Sequence, residues 1–265
     1  MIARVTKKNP KQDAVLQVEG PEGSGKTTMS IGIAYYISLR TGRPFSEQNV
    51  FFDTKKALDF AQNTEAQIII FDEPALDVLS SQWWKDVQQD LIQLLMLCRK
   101  KRHFIIFNFT KFYKFSEYIV VDRSVGMIHL YERKDKEGEY AFRYIPRDRL
   151  EALYNDYRYK KIRNYFKYGI FTGEFADILN PDRRYNILDL FNVAYYESEK
   201  DKAIKSIGNK KNDWKINMQY KLSRLKYPIY TQQEFCNQIK IHRATINRWK
   251  NKQDDDENDT LEPTG

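Results

Sequence analysis

The chain reads as an α/β domain on a mostly parallel sheet, followed by a small α-helical module at its C-terminus. Three observations carry that reading. A glycine-rich loop, Gly-Pro-Glu-Gly-Ser-Gly-Lys-Thr from Gly20 to Thr27, stands between an apolar run and a helical pattern. Forty-six residues after Lys26, the run Ile68 to Phe71 leads straight into Asp72-Glu73. Near the C-terminus, residues 231–250 have the spacing of a helix-turn-helix.

Taken in order, Ala14 to Val18 is a short apolar run, as expected of a buried strand. The loop that follows matches G-x-x-x-x-G-K-[ST], a phosphate-binding pattern. Thr28 to Leu39, with Met29, Ile31, Ile33, Tyr36 and Ile37, reads as the next helix. Glycines at 20, 23 and 25 let the backbone wrap closely and turn its N–H groups toward phosphate oxygens. The helix beginning near Lys26 adds its positive end to the same anion. Gly20, Pro21, Glu22, Gly23, Ser24, Gly25, Lys26, Thr27 and Thr28 are therefore the expected ATP-binding set. Lys26 would reach the β- and γ-phosphates, and the Thr27 hydroxyl would sit on Mg²⁺.

Val50 to Asp53 reads as a second strand and Thr54 to Gln62 as a short helix. The continuous apolar run Ile68 to Phe71 fits a strand buried on both faces of a parallel sheet, whose carboxyl end is where ligands bind in open α/β folds. Asp72 there would hold Mg²⁺ through water, and Glu73 would polarise an attacking water. This Asp-Glu pair favours ATP hydrolysis by an additional-strand (ASCE) P-loop domain, and no Asn-Lys-x-Asp guanine signature is present. Ser80 to Cys98 is a long helix, with Trp83 and Trp84 assigned to core or subunit packing rather than base stacking. Phe104 to Asn108 is another buried strand. Asn108, at its end, either senses the γ-phosphate or caps the strand. Tyr118 to Val121, Met127 to Glu132 and Tyr140 to Ile145 read as short strands, and Arg147 to Tyr168 as one basic, aromatic-rich helix.

Composition sets the domain limits. The 265 residues hold one nucleotide-binding domain over 1–175, a connection over 176–225, the helix-turn-helix over 226–252 and an acidic tail over 253–265. The formal charge is +8, but residues 251–265 carry six acids and one base, so residues 1–250 hold 43 bases and 30 acids. A body that basic attracts a polyanion. No apolar run of membrane length and no secretory leader are apparent. Cys98 and Cys236 read as separate small buried residues, and a reducing, cytoplasmic setting without membrane contact is expected.

In the C-terminal pattern, Thr231 is a natural N-cap, Phe235, Cys236 and Ile239 line a first helix, and Ile246 and Trp249 line a second. His242, Arg243, Thr245, Asn247, Arg248 and Lys250 then face outward, which suits phosphates and major-groove base edges of DNA. The turn position usually held by Gly is Lys240. A two-helix cap without DNA contact is the other reading of this segment.

With these motifs in place, residues 10–170 resemble the HerA/FtsK branch of P-loop ATPases. The likeness lies in the phosphate loop, Asp72-Glu73-Pro74, the helix ending Cys98 to His103, and the strand Phe104 to Asn108. In layout they are similar to Zot-like ATPases of filamentous phages and to small ATPases of archaeal viruses and mobile elements. The resemblance implies that Lys26, Thr27, Asp72 and Glu73 take the family's ATP and Mg²⁺ roles, with Lys26 and Glu73 catalytic and Mg²⁺ on Thr27 and Asp72; Asn108 joins the catalytic set from its place at the strand end, not from the resemblance. Asn108 stands where the family often has Gln. It also implies rings, commonly hexameric, with an arginine supplied in trans; Arg123 is the first choice, then Arg99 or Arg102. Partners implied are DNA, further copies of the chain, and a capsid- or portal-type assembly. Two activities remain open: a motor that translocates or packages DNA, and an ATP-gated DNA-binding regulator or loader.

Overall fold

Alternate residues of the central strands point to opposite sides of the sheet, and both sets are apolar, so helices must cover both faces. A computed structural model describes residues 13–72, 81–133, 140–175, 179, 187 and 189–205, with the side chains of 81–87 excepted. Seven strands form one sheet in the order β2-β3-β4-β1-β5-β6-β7. They are β1 (Ala14–Glu19), β2 (Val50–Phe51), β3 (Ile68–Asp72), β4 (Phe104–Phe109), β5 (Ser124–Glu132), β6 (Tyr140–Pro146) and β7 (Phe171–Glu174). Strands β1 to β5 pair in parallel, and β6 and β7 extend the sheet antiparallel. The mostly parallel sheet expected from sequence is present, with β4 as an added strand between β1 and β3.

The helices are α1 (Lys26–Thr41), α2 (Thr54–Asn63), α3 (Ser81–Lys101), α4 (Arg147–Lys160) and α5 (Tyr165–Tyr168), and 193–205 are also helical. One face of the sheet presents Val15, Ile69, Phe71, Ile105 and Phe107 to a core shared with α2, α3 and α4. The other presents Leu16, Val18, Ile68, Ile70 and Ile106 to α1, Phe191 and Tyr196. Each such fully buried side chain contributes about 1.5–3 kcal/mol of transfer free energy. The compact unit holding the sheet runs to Ala203; a second unit covers Ile204–Gly265. Of that second unit, 206–265, including the expected helix-turn-helix, lie outside the described residues.

Three local expectations change. Tyr118–Asp122 is a buried π-helical turn, closed by Arg123 N–H to the Tyr118 carbonyl at 3.1 Å, and not a strand. A short apolar run has no period that separates the two, and here the buried Gln17 amide donates to the Val120 carbonyl at 2.6 Å. The Arg147 helix stops at Lys160, because Lys161 adopts φ 58, and Asn164 caps a new turn. Asp53 does not extend β2; its carboxylate caps α2 by accepting from Lys55 and Lys56 N–H at 2.9 and 3.1 Å. Among the described residues no helix is long and apolar enough to cross a membrane.

Candidate functional site

β1 ends at Glu19, and the Gly20 N–H donates to the Phe109 carbonyl at 3.2 Å, pinning the start of the loop to the end of β4. Gly23 and Gly25 take φ 75 and 78, the left-handed region in which a Cβ is disfavoured. A Cβ on Gly25 would also lie 3.0 Å from the Phe175 ring. Gly25 is the N-cap of α1 and supplies no side-chain cap. The first N–H groups of a sixteen-residue helix are thus left facing outward, a ready anion site. Pro21, Glu22 and Gly23 form the exposed rim, Ser24 is buried, and Thr28 is half-buried.

Lys26 Nζ lies in this loop and donates to the Gly20 and Pro21 carbonyls at 3.0 and 2.6 Å. Burial pushes its ammonium below the ordinary lysine value, with Asp72, Glu19 and Glu22 pulling it back up and Lys200 adding to the depression. The Thr27 hydroxyl donates to Asp72 Oδ2 at 2.8 Å, across 45 positions of sequence. The two motifs read separately from sequence therefore meet at the carboxyl edge of the sheet. Asn108 pairs in register with Asp72 and donates from Nδ2 to Asp72 Oδ1 at 3.0 Å. Its own Oδ1 accepts from Ser30 of α1. Asn108 is thereby bound to neighbouring side chains at the strand end, orienting Asp72.

A hydroxyl and a carboxylate, both hard oxygen donors beside a glycine cradle, fit Mg²⁺ carried by a phosphate. Thr27 would hold it directly and Asp72 through water. Behind the loop, the buried Glu19 accepts from His129 Nδ1 and from the Tyr165 hydroxyl, the latter at 3.0 Å. The His129 and Tyr165 rings stack at 3.7 Å. Burial, then the Glu19 charge, drives the Tyr165 hydroxyl pKa upward, so it acts as a neutral donor. From outside the expected domain, Tyr196 donates to Asp72 Oδ2 at 2.9 Å and lies 3.5 Å from Thr27 Oγ1. Glu19, His129, Ser30 and Tyr196 carried no signal in sequence, since none falls in a motif: Glu19 and His129 meet by strand register, and Ser30 and Tyr196 arrive with helices packed on the sheet.

The arginines lie elsewhere. Arg123 stands at the amino end of β5, bonded to Asp13 and, at 3.0 Å, to the Leu95 carbonyl. Arg102 bonds Glu65 at 3.2 Å, and Arg99 is exposed in the last turn of α3. All three belong to the sheet edge opposite their own chain's phosphate loop. Glu73 and the proposed DNA-contact residues His242, Arg243, Thr245, Asn247, Arg248 and Lys250 lie outside the described residues.

No protein-family model matches the chain, and no curated protein matches it in sequence. Among solved structures, it is similar to a KaiC-like protein from the hyperthermophilic archaeon Pyrococcus horikoshii OT3. Identity is 17% and the TM-score 0.35, covering 51% of this chain and 79% of that one. The phosphate-loop assignment rests on the geometry above.

Proposed function

We propose that the chain is a Mg²⁺-dependent ATPase acting on DNA, a motor that translocates or packages it as a ring of subunits. The observation that carries the nucleotide site is the 2.8 Å bond from Thr27 to Asp72, which joins the glycine loop to the end of β3. The chain's own residues divide the work: loop N–H groups and Lys26 bind and orient the phosphates, and Asp72 and Thr27 hold the metal. Glu73 takes a proton from water. Mg²⁺, when bound, would neutralise the negative charge of the phosphates as the γ-phosphoryl passes to water and ADP departs. DNA as the partner is supported by the excess of bases in residues 1–250 and by the basic, aromatic surface of α4. In that surface Tyr113 and Tyr157 stack at 4.0 Å beneath Arg163.

An ATP-gated DNA-binding regulator is favoured by one observation. Tyr196 touches Asp72, and the chain runs on from it into the residues with helix-turn-helix spacing. ATP turnover measured against duplex length separates the two. A motor shows turnover rising with length, and a gate saturates on one short site. Glu73→Gln should retain bound ATP without hydrolysing it; hydrolysis at the wild-type rate would remove Glu73 from its role.

A further inference from the structure

The residues at the metal corner are not all from the loop and strand motifs. Tyr196 reaches it from the helical stretch 193–205, which sequence places beyond the nucleotide domain. Its ring is held by Phe52 at 5.4 Å and Phe191 at 6.0 Å, and Phe191 is fully buried. The Tyr35 hydroxyl bonds the Leu190 carbonyl, and at the surface Lys56 pairs with Glu199 at 3.8 Å. Tyr196 itself is 4% exposed.

We propose that Tyr196 is a positioning residue for the metal: its hydroxyl holds the Asp72 carboxylate in the orientation that receives Mg²⁺ with the nucleotide. This rests on the ATP-site reading above. An ionised carboxylate has about four acceptor positions. Thr27 and Tyr196 fill those on Oδ2 and Asn108 fills one on Oδ1, leaving one for a metal-bound water. Three donors from three elements fix both the rotation of the carboxylate and the oxygen that remains available. Mg²⁺ needs this, because it demands near-ideal octahedral geometry and tolerates misplaced ligands poorly.

Tyr196→Phe keeps the ring and removes only the donor. Binding of a fluorescent ATP analogue to the full chain is measured in excess Mg²⁺, in EDTA, and across a Mg²⁺ titration. The half-saturating Mg²⁺ concentration should rise about 10-fold, with affinity in EDTA unchanged. On an Asp72→Asn background the same substitution should have little further effect, since Tyr196 acts through that carboxylate. Unchanged Mg²⁺ dependence with a lowered melting temperature would mean that Tyr196 only packs, and would overturn the proposal. Tighter Mg²⁺ binding would overturn it too, showing that the hydroxyl competes with the metal. Wild-type protein that binds no analogue under either condition would instead sink the ATP-site reading itself.

Discussion

At the amino edge of the parallel strands the Arg123 guanidinium meets the Asp13 carboxylate and the Leu95 carbonyl, and Arg102 meets the Glu65 carboxylate at 3.2 Å. At the carboxyl edge, among the described residues, Lys26 bonds only the carbonyls of its own loop. A cation paired with a carboxylate of its own chain has already recovered much of its lost hydration and serves the fold. A half-buried cation held by neutral oxygens retains attraction for an incoming anion, and the uncapped helix beside it adds to that. Charge at the first edge is structural, and at the second it is available.

The sharpest way to break this contrast is to remove one cation from each edge. Lys26→Ala should lower ATP affinity by about 100-fold or more while leaving the urea midpoint of the nucleotide-free protein close to wild type. Arg123→Ala should do the reverse. It should lower unfolding free energy by about 3 kcal/mol, read from urea denaturation, with hydrolysis per folded molecule maintained. Mixed oligomers of the two variants supply the counter-test. If Arg123→Ala alone instead lost hydrolysis, and activity returned on mixing with Lys26→Ala subunits, the Arg123 guanidinium would be serving a neighbour's site, and the contrast would fail.

Backbone strain divides in the same way. Gly25→Ala should destabilise by about 1–2 kcal/mol and also weaken ATP binding about 10-fold, because the left-handed residue caps α1 against Phe175. Gly42→Ala, also at positive φ but with nothing within 4 Å of the added Cβ, should cost stability alone. Calorimetry and nucleotide titration on the same two variants check both. A smaller effect is expected of Asn108→Ala: about 10-fold weaker Mg²⁺-dependent binding, as Asp72 Oδ1 loses its donor.

The edges should also answer pH differently. His103, at the amino edge, accepts from Gln67 N–H on Nδ1 and faces the Ala61 carbonyl through Nε2, so it is held as the neutral ring. Burial lowers its pKa below the ordinary 6.5. A depressed histidine contributes stability above its unfolded value and loses it as pH falls through and below 6.5, visible as a falling urea midpoint. Lys26, also depressed by burial, regains its proton affinity when an anion binds. ATP affinity should therefore decline as pH rises through the depressed Lys26 value toward the ordinary 10.5, because the free protein loses the proton that the bound anion requires. If both pH effects appeared in stability and neither in affinity, Lys26 would be structural as well.

What sequence alone determined is local. The strand-loop-helix at Ala14 to Thr41, the buried strands Ile68 to Asp72 and Phe104 to Phe109, and the mostly parallel sheet follow from periodicity, glycine placement and continuous apolar runs. These signals lie within a dozen or so neighbouring residues, where backbone preference and burial pattern dominate. Tyr118 to Val121 misled because an apolar run that short fits strand and helical turn equally well. Tertiary structure decided who meets Asp72: Thr27 from 45 positions away, Asn108 from 36 and Tyr196 from 124. It likewise set Glu19 against His129 and turned Arg123 toward Asp13. Such pairs depend on strand order and register, which a parallel sheet sets only when distant crossovers dock, so no local pattern of residues encodes them.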